Sequence, residues 1–453
     1  MGKRMLIGRA AELEYLKGYY EKEGSHLLIL YGQKSIGKTA ILREFTRGKP
    51  CHYHMARACS GQGSLEWMQR LEDGKAGLGL EKEVVVVEEF QHMARTGKEA
   101  VQALLALSGK WSGGAGVLLI LVSSSIRWVE NKMVSQLGEA VSAISDVYKV
   151  KELEFRYLQE YFSLYSVRQC MEVYALLGGV PGWWKHFDQR RSVKGNICQA
   201  ILEGTGGLRH TVEYLAMEEL RELAVYNTIL AALAAGKRKL NDLHKETGFP
   251  RAKLSVYLGN LIQMDWVEKV YSFEPSGSVG KKANAEAKKG MYRICNSYID
   301  FYYTYLYYGE EQLFRMSAER FYNTYILPDR DRHLQEAFLR ACMQHIESCG
   351  RQGKLPVRAD RIGSWFGKDG RHIDAVVQET GGATLLALCQ GSRFGMTYEE
   401  YAGMLAAAQK AGFHADYVWL YAELFDCRIV KEAEERETLV LVDIREMSGL
   451  LSQ

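Results

Sequence analysis

No apolar run in this sequence approaches the ~20 residues that a membrane-spanning helix needs. Its most apolar stretches, EVVVVEEF and GVLLILVSSS, have the length of buried strands. The N-terminus, MGKRMLIGRAAELEYL, lacks the apolar core and small-residue cleavage site of a secretion signal. Charge of one sign is lacking too. The 58 Lys and Arg are balanced by 55 Asp and Glu, a formal net charge of +3, which argues against a polyanion-coating protein but leaves room for one basic face. The nine cysteines form no CxxC pair and no zinc-like Cys/His spacing, so the expectation is reduced thiols in a cytoplasmic protein that makes no membrane contact. No internal repeat is visible. What remains is an ordinary globular composition, 47% apolar and 25% charged, over 453 residues. That length suffices for three or four domains, each with its own core.

Up to residue 151, short apolar runs at 27–31, 84–87 and 117–122 alternate with helical patterns at 10–20, 39–46 and 100–107. This alternation signals βαβ units and a mainly parallel sheet. From 152 to 310 strand signals nearly vanish and amphipathic helices dominate. The polar, lysine-rich stretch 274–290 reads as an exposed loop. Beyond Leu327 and Pro328 the two patterns mix, with strands expected at 374–377 and 384–389. The division expected is 1–151, 152–215, 216–305 and 306–453.

Directly behind the first apolar run, Gly32, Gln33, Lys34, Ser35, Ile36, Gly37, Lys38 and Thr39 fit G-x-x-x-x-G-K-[ST], with Ala40 continuing into the helix. A loop wrapped between strand and helix turns successive N–H groups toward a β-phosphate, and the helix adds its positive end. Lys38 would reach the β- and γ-phosphates and the Thr39 hydroxyl would ligate Mg2+, making ATP and Mg2+ the expected cofactors. The second apolar run ends in Glu88 and Glu89. Glu88 would hold the Mg2+ shell through water and Glu89 would orient or deprotonate the attacking water; the alternative is a pair of acids closing a strand that faces solvent. The third run ends in three serines, of which Ser124 is the candidate to sense the γ-phosphate or that water.

IGRAAELEYL, GQKSIGKTAIL, VVVVEEFQHM, the serine-rich strand end and YALLGGVPGWW together resemble the archaeal-type P-loop ATPases that bacteria also carry, a group placed with the AAA-related STAND and origin-recognition-like ATPases. The resemblance covers most of the chain. It implies a multidomain protein: an α/β P-loop core with a five-stranded parallel sheet, a helical lid, an all-α winged helix and an α/β nuclease-like C-terminal domain. It also implies that Gly8 and Arg9 lie near the adenine, and that Gly178, Gly179 and Pro181 pack against the nucleotide; a helix stop is the plainer reading of the glycines. One departure is Glu88, where the family's strand usually ends in Asp. It points to slow hydrolysis.

Helical patterns at 226–235, 239–247 and 251–263, with Gly248-Phe249-Pro250 as a turn and two strands after them, give the order of a winged helix. Arg251 and Lys253, with Lys281, Lys282, Lys288 and Lys289 from the wing, are the candidate phosphate contacts to duplex DNA. Docking a protein is the other use of such a module, and a homo-oligomer is compatible with both. GRHIDAVVQETGGATLLALCQGS resembles a PD-(D/E)xK nuclease core, with Asp374 and Glu336 matching acids. Leu388 and Gln390 occupy the Glu-x-Lys positions. A leucine cannot ligate a hard cation, so a catalytically degenerate remnant is expected. Trp365 and Phe366 are read as core. The eight aromatic residues between Tyr298 and Phe314 are read as one helical span buried at a domain interface.

Overall fold

Short apolar runs become strands here because both faces of a parallel sheet are covered, so each residue gains by being apolar. The computed structural model describes residues 6–57, 62–73, 81–96, 101–102, 104, 116–204, 206–274, 290–367, 370–391 and 395–447. They fall into two compact units, one made of 1–153 with 180–183 and the other of 154–179 with 184–453.

In the first unit β1 (His26–Tyr31), β2 (Cys51–Met55), β3 (Glu83–Glu88), β4 (Val117–Ser123) and β5 (Asp146–Lys149) form a sheet of order β2-β3-β4-β1-β5. Every pairing in it is parallel. The three runs read from the sequence lie inside β1, β3 and β4, the central strands. Leu27, Ile29, Val85, Val87, Leu119 and Leu121 alternate onto one face and are buried together with Phe90 and Trp128. Each such side chain contributes about 1.5–3 kcal/mol of burial. The helices α1 (Ala10–Glu21) and α2 (Lys38–Phe45) flank the sheet's start. Most of the expected helix at 100–107 lies outside the described residues.

The second unit opens with helices, among them Val167–Leu177, Leu223–Ala234, Leu240–Thr247 and Arg251–Gln263. Leu240–Thr247 ends at Gly248, whose φ of 71° is the left-handed cap that glycine supplies without strain. An antiparallel hairpin follows, β6 (Val267–Val270) with β7 (Met291–Ile294). Lys281, Lys282, Lys288 and Lys289 lie outside the described residues. A mixed sheet closes the unit in the order β12-β11-β10-β9-β8, built from β8 (Arg361–Phe366), β9 (His372–Gln378), β10 (Thr384–Cys389), β11 (Tyr417–Ala422) and β12 (Leu439–Asp443). Its β10-β11-β12 pairings are parallel and β8-β9-β10 antiparallel.

The aromatic span is not one helix. A helix over Ser297–Phe301 passes into a π-helical turn over Tyr302–Leu306, and a separate helix runs from Glu310 to Arg315. Tyr298, Phe301, Tyr302, Tyr303 and Tyr305 are buried within the unit, whereas Tyr308 and Phe314 are 73% and 91% exposed. Trp365 packs against the core of the mixed sheet. Among the described residues no helix is long and apolar enough to cross a membrane. The described cysteines are all free thiols.

Candidate functional site

The register of the parallel sheet sets Tyr31 beside Ser123 and Val87 beside Leu121, so the chain leaves β1, β3 and β4 along one edge of the first unit. Ligands of open α/β sheets sit at this carboxyl edge. The loop of residues 32–39 starts there, with the Gly32 N–H donating to Ser123 O at 3.3 Å. Ile36 anchors the loop in the core. Gly37 takes a φ of 107° just before α2, a conformation only glycine adopts cheaply. Ser35 adopts a φ of 68°, which costs on the order of 1–3 kcal/mol for a residue with a Cβ.

The Lys38 ammonium is buried and donates to Gly32 O at 2.6 Å and Gln33 O at 3.0 Å. Burial lowers its pKa to about 8, against the attraction of Glu89 and Glu88. Both acids are thus within electrostatic reach of the lysine. Glu88 ends β3 and is only 4% exposed. Its Oε2 accepts a hydrogen bond from the Tyr53 hydroxyl at 2.9 Å, while its Oε1 is buried with no hydrogen-bond partner among the described residues. Glu89 leaves the strand with a φ of 54°. Its Oε2 accepts from the Ser124 hydroxyl at 2.6 Å and from the Gln91 amide.

Arg9 takes a structural part that the resemblance does not imply. Its guanidinium is buried and donates to Glu12 Oε1 at 2.7 Å, Lys151 O at 2.9 Å and Ile36 O at 2.7 Å. It braces the phosphate loop from behind. Gly8, at a φ of 66°, turns the chain into that brace. Gln33 donates to Glu152 at 3.1 Å; Lys34 and Ala40 are exposed and Thr39 is half-buried at the second residue of α2. Pro181 lies close enough that a Cβ on Gly37 would stand 3.6 Å from its Cγ, and the next N–H, of Gly182, donates to Ser35 O at 3.0 Å. Gly178 caps Val167–Leu177 in the other unit, the plainer of its two readings.

Sequence reasoning passed over Tyr53, Gln91 and Gly182. Gln91 stands two residues beyond Glu89 and was within reach of it. Tyr53 lies on a strand with no apolar signature.

In the second unit the candidate cations have partners of their own. Arg251 Nε donates to Asn241 at 2.7 Å, and Lys253 lies over Phe249 and Tyr257, 4.9 and 5.5 Å from the ring centres. Asp374 is buried, accepts from the Cys389 N–H at 2.8 Å and has His372 Nε2 at 3.4 Å. Burial holds its carboxyl above the usual range, with His372 and the Cys389 N–H opposing. Glu336 is taken by Arg238. Leu388 pairs with Leu420 across β10 and β11, and Gln390 donates to Glu400 at 2.8 Å.

Residues 302–389 match a family model described as archaea bacterial proteins of unknown function. An uncharacterized protein of Methanocaldococcus jannaschii is 23% identical over 396 residues, 82% of this chain and 84% of that one. An uncharacterized ATP-binding protein of the same organism is 36% identical over 45 residues, 10% of this chain and 76% of that one. Among solved structures, the Walker-type ATPase of Pyrococcus abyssi aligns with a TM-score of 0.47 at 17% identity, over 66% of this chain and 96% of that one. The Aeropyrum pernix ORC2 protein aligns at 0.45 and 13%, over 70% and 96%. The chain thus carries a glycine-rich loop of P-loop pattern at the carboxyl edge of a five-stranded parallel sheet, and over a short stretch it is similar to an archaeal ATP-binding protein.

Proposed function

We propose that the first unit binds Mg-ATP and hydrolyses it slowly, and that the nucleotide state governs a winged-helix module in the second. The observation that carries the reading is the meeting at one sheet edge of a buried lysine, a buried acid at the end of β3 and a second acid bonded to Ser124.

The donor set suits magnesium. The Thr39 hydroxyl and the Glu88 carboxylate are hard oxygen donors, and the unpartnered Oε1 of Glu88 is the state of an oxygen whose partner arrives with the ligand. Magnesium, when bound, neutralises charge on the β- and γ-phosphates. The chain's own residues supply the rest. Lys38 exchanges two neutral carbonyl acceptors for anionic phosphate oxygens, so that both partners of the contact are charged. Glu89 takes the proton of the attacking water, and Ser124 orients that carboxylate.

One feature supports slow turnover: Glu89 is already engaged by Ser124 and Gln91, so it must exchange a partner before it acts. The same engagement favours a second reading, a nucleotide switch with negligible turnover. Helix, turn, helix and hairpin in the second unit support the winged-helix assignment; the division into lid, winged helix and a catalytically silent nuclease-like domain is part of the proposal. Phosphate release with Mg-ATP tests it: measurable turnover that falls at least about 100-fold in Glu89→Gln with ATP affinity kept supports hydrolysis at this site. Equal turnover in both proteins sinks the assignment of Glu89, and no turnover with intact binding selects the switch.

A further inference from the structure

The acid that ends β3 is held from an unexpected direction. β2 is an edge strand with residues of alternating exposure. Tyr53, in its middle, is 49% exposed. Its register partner is Val86, and Glu88 pairs with Met55. The Tyr53 hydroxyl therefore reaches diagonally across two residues to Glu88, a geometry open to long side chains on neighbouring strands. It donates to Oε2 at 2.9 Å. A phenol keeps its proton at physiological pH, so the hydroxyl is the donor.

The two oxygens of Glu88 differ sharply. One accepts the phenol's hydrogen bond; the other is buried and has no hydrogen-bond partner among the described residues. Leaving such an oxygen unfilled costs on the order of 1–3 kcal/mol, so the arrangement suits a site completed by something that binds. Glu88 closes β3 at the same carboxyl edge from which the phosphate loop leaves β1.

Resting on the ATP reading above, we propose that Tyr53 is a positioning residue for the metal shell. By fixing Oε2 it removes the rotational freedom that Glu88 has over an aspartate, and it presents Oε1 to a water on the divalent cation that accompanies the triphosphate. An aspartate has one fewer rotatable bond and less need of the clamp.

The test uses the full chain with the imido analogue of ATP, Mn2+ as the probe and electron paramagnetic resonance to count free ion. Tyr53→Phe keeps the ring and deletes the donor. We expect it to weaken Mn2+ binding to the protein–nucleotide complex about 10-fold, the scale of a lost outer-shell contact, while nucleotide affinity in EDTA stays unchanged. In a Glu88→Gln background the same change should shrink to within about twofold, since the two groups act as one. Unaltered Mn2+ affinity in a folded Tyr53→Phe protein that binds the analogue overturns the positioning role and leaves ATP binding standing. A tenfold loss that persists unchanged in Glu88→Gln also overturns it, because Tyr53 would then act elsewhere. Failure of the wild-type chain to bind the analogue at all removes both claims.

Discussion

The loop lysine has a proton that reports on the site. Its pKa, lowered by burial from 10.5 to about 8 in the empty loop, belongs to the folded state, whereas the unfolded chain keeps the ordinary value. Between those values the unfolded state binds more protons than the folded one, so the stability of the empty unit rises as pH climbs from about 8 toward 10.5. A bound triphosphate reverses the balance by holding the ammonium charged. ATP binding at pH 9 should then take up most of a proton, and affinity should fall as pH rises above about 8. Calorimetry in two buffers of different ionisation enthalpy reads the uptake directly. Identical heats in both buffers at pH 9 would show that Lys38 is charged before ATP arrives.

At the scale of elements, the phosphate loop is wedged between β1, α2 and the short segment 180–183. A Cβ on Gly182 would stand 2.6 Å from the Ser35 carbonyl oxygen and 2.6 Å from the Ser35 Cβ, and backbone atoms cannot swing aside. Overpacking of this kind costs about 1–3 kcal/mol. Gly182→Ala should lower the thermal midpoint of the first unit by several degrees and weaken ATP binding through Ser35. The control is Gly18→Ala in α1, where nothing lies within 4 Å of the new methyl and a slight gain is expected. A midpoint for Gly182→Ala equal to that of Gly18→Ala would remove the wedge. The same elements show what the sequence made legible. β1, β3 and β4 are buried and so nearly all apolar, and their ends mark the loop, Glu88 and Ser124. β2 reads CHYHM because it is an edge strand with half of its residues in solvent, and β5, DVYK, is partly exposed for the same reason. Neither carried a pattern to recognise, so Tyr53 was hidden with the strand that bears it. The mirror case is the aromatic stretch from Tyr298, whose periodicity reads as one helix because a π-helical turn widens a helix without changing its composition.

For the whole molecule, the first unit holds the groups suited to phosphate chemistry, and the second carries helices, a hairpin and a mixed sheet whose acids are engaged within the unit. Asp374 accepts a backbone N–H and lies beside His372, and Glu336 is paired with Arg238. Leu388 supplies no oxygen ligand where hydrolytic metal chemistry would need one. The proposed ATP chemistry is tested at the loop on the edge of the parallel sheet. The most direct measurement is ATP binding by isothermal calorimetry at pH 7.5 with Mg2+, on the wild-type chain and on Lys38→Ala, with circular dichroism to establish that both are folded. The account predicts saturable one-to-one binding by the wild type and a loss of at least about 100-fold in the variant, the loss of a charge-assisted contact to a multivalent anion in a buried site. Equal ATP affinity in the two folded proteins, or no binding by the wild type, would contradict it.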